Sequence, residues 1–508
     1  MPKPNTPADL IIDHAADAAG ACPLHPARSG DRNNDVRPQP PEAGALTRPP
    51  LFTPATVTPP PRQLPPLKTL LAMHRNALEA IDAELFDLPF RRSRSFGKDY
   101  LAICDPELLE AVLLKEADAF GRSELQQRAF RPLAGEGLLV AEGAEWRRQR
   151  KAAAPAFRHD ALLRMVPAFA AAAEASVARL RDASGPVDVE PEMRRATLQV
   201  VMDTLLASYD GAVPEVVAHT LFGDVVVRPT ALDLMGAPTW IPAPGRARYR
   251  RRLHALRKQA EEAVRRRRLT SLDSGDLLGA MLAARDPETG VGLTDQQLVD
   301  NILTFIGAGH ETTSVTLTWA LYLIANAPEV QARLLSEARE VLGDGPVTAE
   351  GLSRLRFHEQ VLDETMRLFT PGPLILRTAT RDVDLASVHV KAGTDVFCNL
   401  YVLHRSPRLW NEPAAFDPDR FSPERSAGRH RFAFIPFGAG PRVCIGARFA
   451  IMEAKTFLAT YVRAFAMQPA AAAQPLPRFR LTTSPEGGMP LLMRGRPPLS
   501  SFSAPDSV

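Results

Sequence analysis

Ten residues near the end of the chain, Phe437-Gly438-Ala439-Gly440-Pro441-Arg442-Val443-Cys444-Ile445-Gly446, restrict what it can fold into more than any other stretch. Gly438 and Gly440 admit the positive-φ backbone in which successive N–H groups converge on one anion, and Arg442 adds a cation two residues before Cys444. The following run, Ile445 to Tyr461, has helix-forming composition with recurrent apolar residues, which sets Cys444 at the positive end of a helix dipole. A free thiol titrates at about 8.5, and amide donors, a nearby cation and a helix N-terminus are the means of holding it as a thiolate. Gly446 has no Cβ, so a flat ring system can lie close to the backbone there. A buried structural cysteine in a Gly-rich turn would use little of this pattern, and a metal-ligating thiolate would use all of it.

The other cysteines, Cys22, Cys104 and Cys398, show no Cys-x-x-Cys spacing, which argues against a disulfide framework or a zinc site and for a reducing compartment. No uninterrupted apolar run approaches the roughly 18 residues that span a bilayer, so no transmembrane anchor is expected. Asp9, Asp13 and Asp17 put acid where organelle transit peptides avoid it, and the expectation is a soluble, cytoplasmic protein. A net charge of +3, with basic residues spread along the chain, gives no basis for nucleic-acid binding. Only eight of the 61 basic residues are lysines, a bias of genome composition that hints at a bacterial source.

Residues 1–65 carry proline clusters such as Pro59-Pro60-Pro61 and no sustained periodicity, and are expected to be disordered. A folded domain is expected over residues 66–497, followed by a flexible tail over 498–508. It opens with helical sequence from Leu67 to Leu85 and a strand from Tyr100 to Cys104. Most segments after Glu107 read as helices, with short strands again between Arg377 and Asn399, so the fold class is mostly α with a small sheet. The stretch Val225 to Ile241 is apolar and Pro-interrupted, and Arg246 to Arg268 is intensely basic, which reads as a solvated helix face.

Three further groupings carry chemistry. In the helical run Leu298 to Ala325, Ala308 and Thr312 share a face, and a mid-helix hydroxyl can bond back to the carbonyl one turn earlier and open the ladder locally. Glu311 beside it makes a sensible proton relay, and His310 falls on another face. Glu364 and Arg367 are spaced for an ion pair on one helical face, and Trp146 and Arg150 likewise share a face.

The decapeptide resembles the haem-binding signature of the cytochrome P450 family, Phe-x-x-Gly-x-Arg-x-Cys-x-Gly, at every fixed position, and the resemblance spans roughly residues 66 to 497. It implies a helix-dominated fold with a small β subdomain, and haem b (iron protoporphyrin IX) buried between the long central helix and the cysteine loop. Cys444 would be the iron's thiolate ligand, with Phe437 beside the sulfur, and Gly446 and Ala308 close to the ring. Arg442, Trp146, Arg150 and Arg377 would meet the haem propionates. Ala308-Gly309-His310-Glu311-Thr312-Thr313 resembles the oxygen-activation motif, in which Thr312 steadies dioxygen and Glu311 feeds protons. Arg420 would join Glu364 and Arg367 in a buried cluster that fixes the cysteine loop. The basic stretch and the apolar segment before it would form a lid over the substrate entrance.

The implied activity is insertion of one atom of O2 into an apolar fatty-acid, terpene or steroid-like substrate. No flavin or iron–sulfur region is evident, so electrons would come from a ferredoxin or flavodoxin with an NAD(P)H reductase, docking on Arg147, Arg148, Lys151 and Arg448. Phe305, Leu374, Ile375, Thr482 and Thr483 are the expected substrate-pocket residues. Peroxide-using members commonly lose the acid–threonine pair that this chain keeps. A member that rearranges or desaturates its substrate, or a haem protein that only binds or senses a ligand, are the alternatives, separable by product analysis and by dependence on an electron donor.

Overall fold

The computed structural model describes residues 50–95, 97–205, 246–269, 276–286, 290–386, 388–470 and 474–497. Residues 1–49, the apolar stretch Val225–Ile241 and the tail 498–508 lie outside them. The central helix, Asp295–Ala325, begins with a capping box: the Thr294 hydroxyl accepts from the Gln297 N–H, and the Gln297 side chain accepts from the Thr294 N–H. It is apolar nearly all round and buried along most of its length, as a helix enclosed by others must be. Around it pack Val189–Leu205, Arg356–Leu368 and the cysteine helix Ala447–Ala464. The helix His159–Leu180 is long and apolar enough to cross a membrane. It packs against the cysteine helix, with Val166, Phe169 and Val177 in the core.

The main sheet has five strands: β1 Phe90–Ser95, β2 Lys98–Ile103, β3 Phe120–Arg122, β4 Leu374–Ala379 and β5 Asp395–Asn399. Their order is β1-β2-β5-β4-β3, antiparallel except for the β2–β5 pair. The β3–β4 register sets Arg122 directly opposite Arg377.

Three local expectations change. The helix expected from Leu67 to Leu85 ends at Arg75, because Asn76 turns extended and its side chain caps a short 3-10 turn by accepting from the Leu78 N–H. The packed body starts before residue 66: Phe52 sits ring-to-ring with Tyr322 of the central helix at 5.8 Å, and its carbonyl accepts from the Phe416 N–H. Apolar side chains in the Pro-rich arm found partners there without forming an element. The basic helix, Arg246–Leu269, is only in part a solvated face, since Arg257, Arg267 and Arg268 pair with Asp300, Asp276 and Asp295.

Candidate active site

The cysteine loop has the expected backbone. Gly438 and Gly440 have φ of 72° and 71°, and a Cβ on Gly440 would lie 1.7 Å from the Leu113 carbonyl oxygen, so that position admits glycine alone. Helix begins at Ala447, so Cys444 precedes its first turn. The Cys444 N–H donates to the Phe437 carbonyl, which closes the loop on itself.

The sulfur's electrostatics balance burial against donors. Protein surrounds Cys444, and its accessible surface is that of an internal cavity rather than the exterior. Burial pushes its thiol up, and the Gly446 N–H and the Arg150 charge, which pull it down, do not prevail. Arg442 is not the cation the sulfur feels: its guanidinium reaches the Ala141 carbonyl at 3.0 Å and lies 4.6 Å over the Trp146 ring. A metal ion coordinated to that sulfur would remove the thiol proton outright.

The cavity, of about 370 Å³, lies between the cysteine loop and the central helix. It brings together Cys444, Phe437 and Gly446 from the loop, Phe305, Ala308 and Thr312 from the helix, and Leu374 and Ile375 from β4. Gly446 leaves the approach open, since a Cβ there would meet only Phe157, at 3.8 Å. The Thr312 hydroxyl donates to the Ala308 carbonyl at 3.0 Å, the back-bond expected, while the helix remains continuous through this turn. His310 is buried away from the cavity and bonds the Ile306 carbonyl.

Arg150, Arg377, Arg442 and Trp146 also line the cavity, joined by Arg122, which the sequence reading missed because a single arginine in a short strand carries no signal of its own. Among the described residues these arginines make no ion pair with a carboxylate, though the Glu142 charge acts on Arg122, Arg377 and Arg442 from farther off. Arg377 bonds only the Leu376 carbonyl, and the Arg122 Nε has no partner. Burial lowers the proton affinities of all four, and repulsion from neighbouring guanidiniums adds to it at Arg122, brought to about 9, and at Arg442, brought to about 10. Like charges directly opposite on paired strands are destabilising. Their persistence here marks a place built for an anion with more than one negative charge.

Other expected residues lie elsewhere. Glu311 does not line the cavity: its carboxyl faces Arg194 at 3.2 Å and accepts from the Thr482 hydroxyl at 3.0 Å. Thr482 and Thr483 do not line this cavity. The Thr483 hydroxyl donates to the Thr370 carbonyl and its own carbonyl accepts from the Trp319 indole, so this turn braces the far side of the central helix. Arg148 is held by Glu145 and Gln297, which leaves Arg147, Lys151 and Arg448 as the exposed cations of the expected patch.

The Glu364 cluster forms as expected and is buried. Arg367 makes a fork with both Glu364 oxygens at 2.6 and 2.8 Å, and Arg420 donates to Glu364 Oε1 at 3.2 Å. Arg367 also donates to the His404 carbonyl, and His404 Nε2 accepts from the Ile435 N–H. Ile435 in turn accepts from the Gly438 N–H, so the cluster is bonded through to the cysteine loop.

A planar metal ring carrying two carboxylates fits these residues: a cysteine sulfur facing the cavity, a glycine that leaves its approach open, and rim guanidiniums with no ion-paired carboxylate among the described residues. Fold and site together define a helical protein that encloses such a group between a cysteine loop and a central helix. The cytochrome P450 family profile matches residues 59–492, and the chain belongs to that family, whose members are haem monooxygenases. It is 31% identical to cyclooctat-9-en-7-ol 5-monooxygenase of Streptomyces melanosporofaciens, over 85% of this chain and 94% of the relative. Pentalenene oxygenase of Streptomyces avermitilis is 33% identical over 70% of this chain and 79% of its own length. The crystal structure of the cytochrome P450DA haem domain superposes with a TM-score of 0.72 at 27% identity, covering 88% of this chain and 99% of that one.

Proposed function

We propose that the chain forms one haem domain from about residue 50 to 497 and hydroxylates a cyclic terpenoid in the cytoplasm, with electrons from a separate ferredoxin or flavodoxin. Cys444 is the axial ligand of haem b, and Arg122, Arg150, Arg377, Arg442 and Trp146 hold its propionates. The observation that carries this reading is the pairing, in one cavity, of an accessible cysteine sulfur with guanidiniums that have no ion-paired carboxylate among the described residues. Haem held by a thiolate supplies activation of dioxygen, because the thiolate's electron density favours O–O cleavage.

The chain's own residues supply the rest. Thr312 presents a hydroxyl at the cavity wall, anchored to Ala308, where it can pass a proton onward. Glu311 is the acid that recharges it, from one residue away on the same helix. Phe305, Leu374 and Ile375 line the substrate side with carbon and exclude water. The substrate class rests on this lining and on relatives named for cyclooctat-9-en-7-ol and for pentalenene. Arg147, Lys151 and Arg448 offer an acidic electron donor an exposed face.

Reduced protein with carbon monoxide is expected to show the long-wavelength absorption of thiolate-ligated haem, and Cys444→Ser to abolish it. Folded, haem-loaded wild type without that band overturns the reading. Displacement of iron-bound water, followed as a Soret shift, is expected for cyclic terpenes in preference to fatty acids or steroids.

A further inference from the structure

The cavity wall includes Gln126, on the helix Glu124–Ala134, and Thr304, on the central helix, polar side chains that the haem reading leaves without a task. The Thr304 hydroxyl donates its one proton to the Asp300 carbonyl at 2.7 Å, so its oxygen can accept a further hydrogen bond and cannot donate one. A side chain at Gly137 would crowd that oxygen, since a Cβ there would lie 2.8 Å from it. Gln126 Oε1 is enclosed and accepts no hydrogen bond among the described residues. Leu138, Leu139 and Phe305 make their share of the same wall carbon.

Polar groups enclosed in an apolar cavity cost free energy unless a ligand meets them, and a few such groups are what orients a ligand in a site of this kind. A hydrocarbon against Gln126 and Thr304 would keep water from both and replace none of its hydrogen bonds. A ketone can accept from the Gln126 amide but has no proton to give Thr304. A hydroxyl answers both, donating to the Thr304 oxygen while it accepts from the amide. Thr304 stands two helical turns before Thr312, about 12 Å along the axis. A hydroxyl held there leaves the opposite end of a ring skeleton for oxidation near Thr312.

We propose that Thr304 and Gln126 are specificity-determining residues that recognise a hydroxyl already present on the substrate, which is therefore a cyclic terpene alcohol. This deepens the terpenoid reading and rests on it. The class of reaction that must supply the substrate is one that installs an alcohol on the ring skeleton, and the product of this chain is then a diol.

Soret titrations of the haem-loaded ferric protein compare a hydrocarbon, its alcohol and its ketone on two skeletons: menthane, menthol and menthone, and valencene, nootkatol and nootkatone. On at least one skeleton the alcohol is expected to bind about tenfold tighter than the hydrocarbon and the ketone, as one hydrogen bond kept in a dry site implies. Water competes for the alcohol more than for the hydrocarbon, so a purely apolar cavity gives the opposite order. In Thr304→Val and in Gln126→Leu the preference is expected to vanish while hydrocarbon binding is retained, and Thr304→Ser, which keeps the oxygen, is expected to preserve it. Haem loss from Gln126→Leu to an acceptor protein is expected at the wild-type rate. Hydrocarbon and alcohol bound equally on both skeletons, or a preference that survives either substitution, overturns the proposal and leaves the terpenoid reading standing. Faster haem loss in Gln126→Leu with the alcohol preference intact assigns Gln126 to the haem propionates and overturns its role here. No Soret shift with any of the six compounds overturns the terpenoid reading and this proposal with it.

Discussion

The chain buries two groups of arginines that are opposite in kind. Around Glu364, the guanidiniums of Arg367 and Arg420 meet a carboxylate and a set of backbone carbonyls, and the group ties a helix to the loop ahead of Cys444. At the cavity rim, Arg122, Arg150, Arg377 and Arg442 lie together without an ion-paired carboxylate among the described residues. The first group is complete within the polypeptide. The second would take its counter-charge from a bound anion, and that difference would separate a structural cluster from a binding site without any reference to sequence motifs.

The largest test breaks the complete cluster. Glu364→Gln leaves two buried guanidiniums without their counter-ion, and a loss of about 3–5 kcal/mol is expected in denaturant unfolding. Arg377→Gln probes the other cluster and should separate two quantities that move together in the first. Loss of haem to an acceptor protein is expected to accelerate about tenfold to a hundredfold, as for removal of a charge-assisted bond of about 1.5–3 kcal/mol. The folding free energy is expected to change by less than about 1 kcal/mol, since relief of the repulsion from Arg122 offsets lost packing.

Smaller still, Arg122→Gln is expected to stabilise the haem-free chain by about 0.2–1 kcal/mol and to lose that advantage once haem is bound. A destabilisation of the haem-free chain would show that the rim is self-sufficient and end the contrast. The weakest effect concerns Arg194, which stands between the two kinds. Burial lifts the Glu311 carboxyl above its ordinary 4.5, so the native state holds a proton that the unfolded chain releases. Glu311 therefore detracts from stability as pH rises above about 4.5 toward its folded value, and Glu311→Gln is expected to flatten that part of the stability–pH curve.

Much of this was legible beforehand where spacing alone fixes direction. Ala308 and Thr312, Glu364 and Arg367, and Trp146 and Arg150 lie on single helices, and helical geometry carried each pair to the expected face. The loop glycines were legible because only glycine suits their backbone. What escaped depends on contacts between distant segments. Arg122 meets Arg377 only through strand register, and Thr482 turns toward Glu311 only because its loop packs behind the central helix. The upward push of burial on the Cys444 thiol escaped for the same reason: burial is a property of the whole fold, and the ten-residue pattern shows only what opposes it.

The loop Gly135–Leu138 is fastened to the central helix through Asp300, which accepts from the Glu136 N–H and from Arg257, and Asn301, which accepts from the Leu138 N–H. A Cβ on Gly135 would lie 2.2 Å from Asp300 Oδ1, and one on Gly137 would lie 2.8 Å from the Asp300 carbonyl oxygen. For anyone reshaping the substrate range, this wall of the cavity has a fixed chassis and exchangeable panels. Leu138 and Leu139 can be resized by substitution, whereas insertions or side chains at the two glycines would unseat the loop from the helix that carries Thr312.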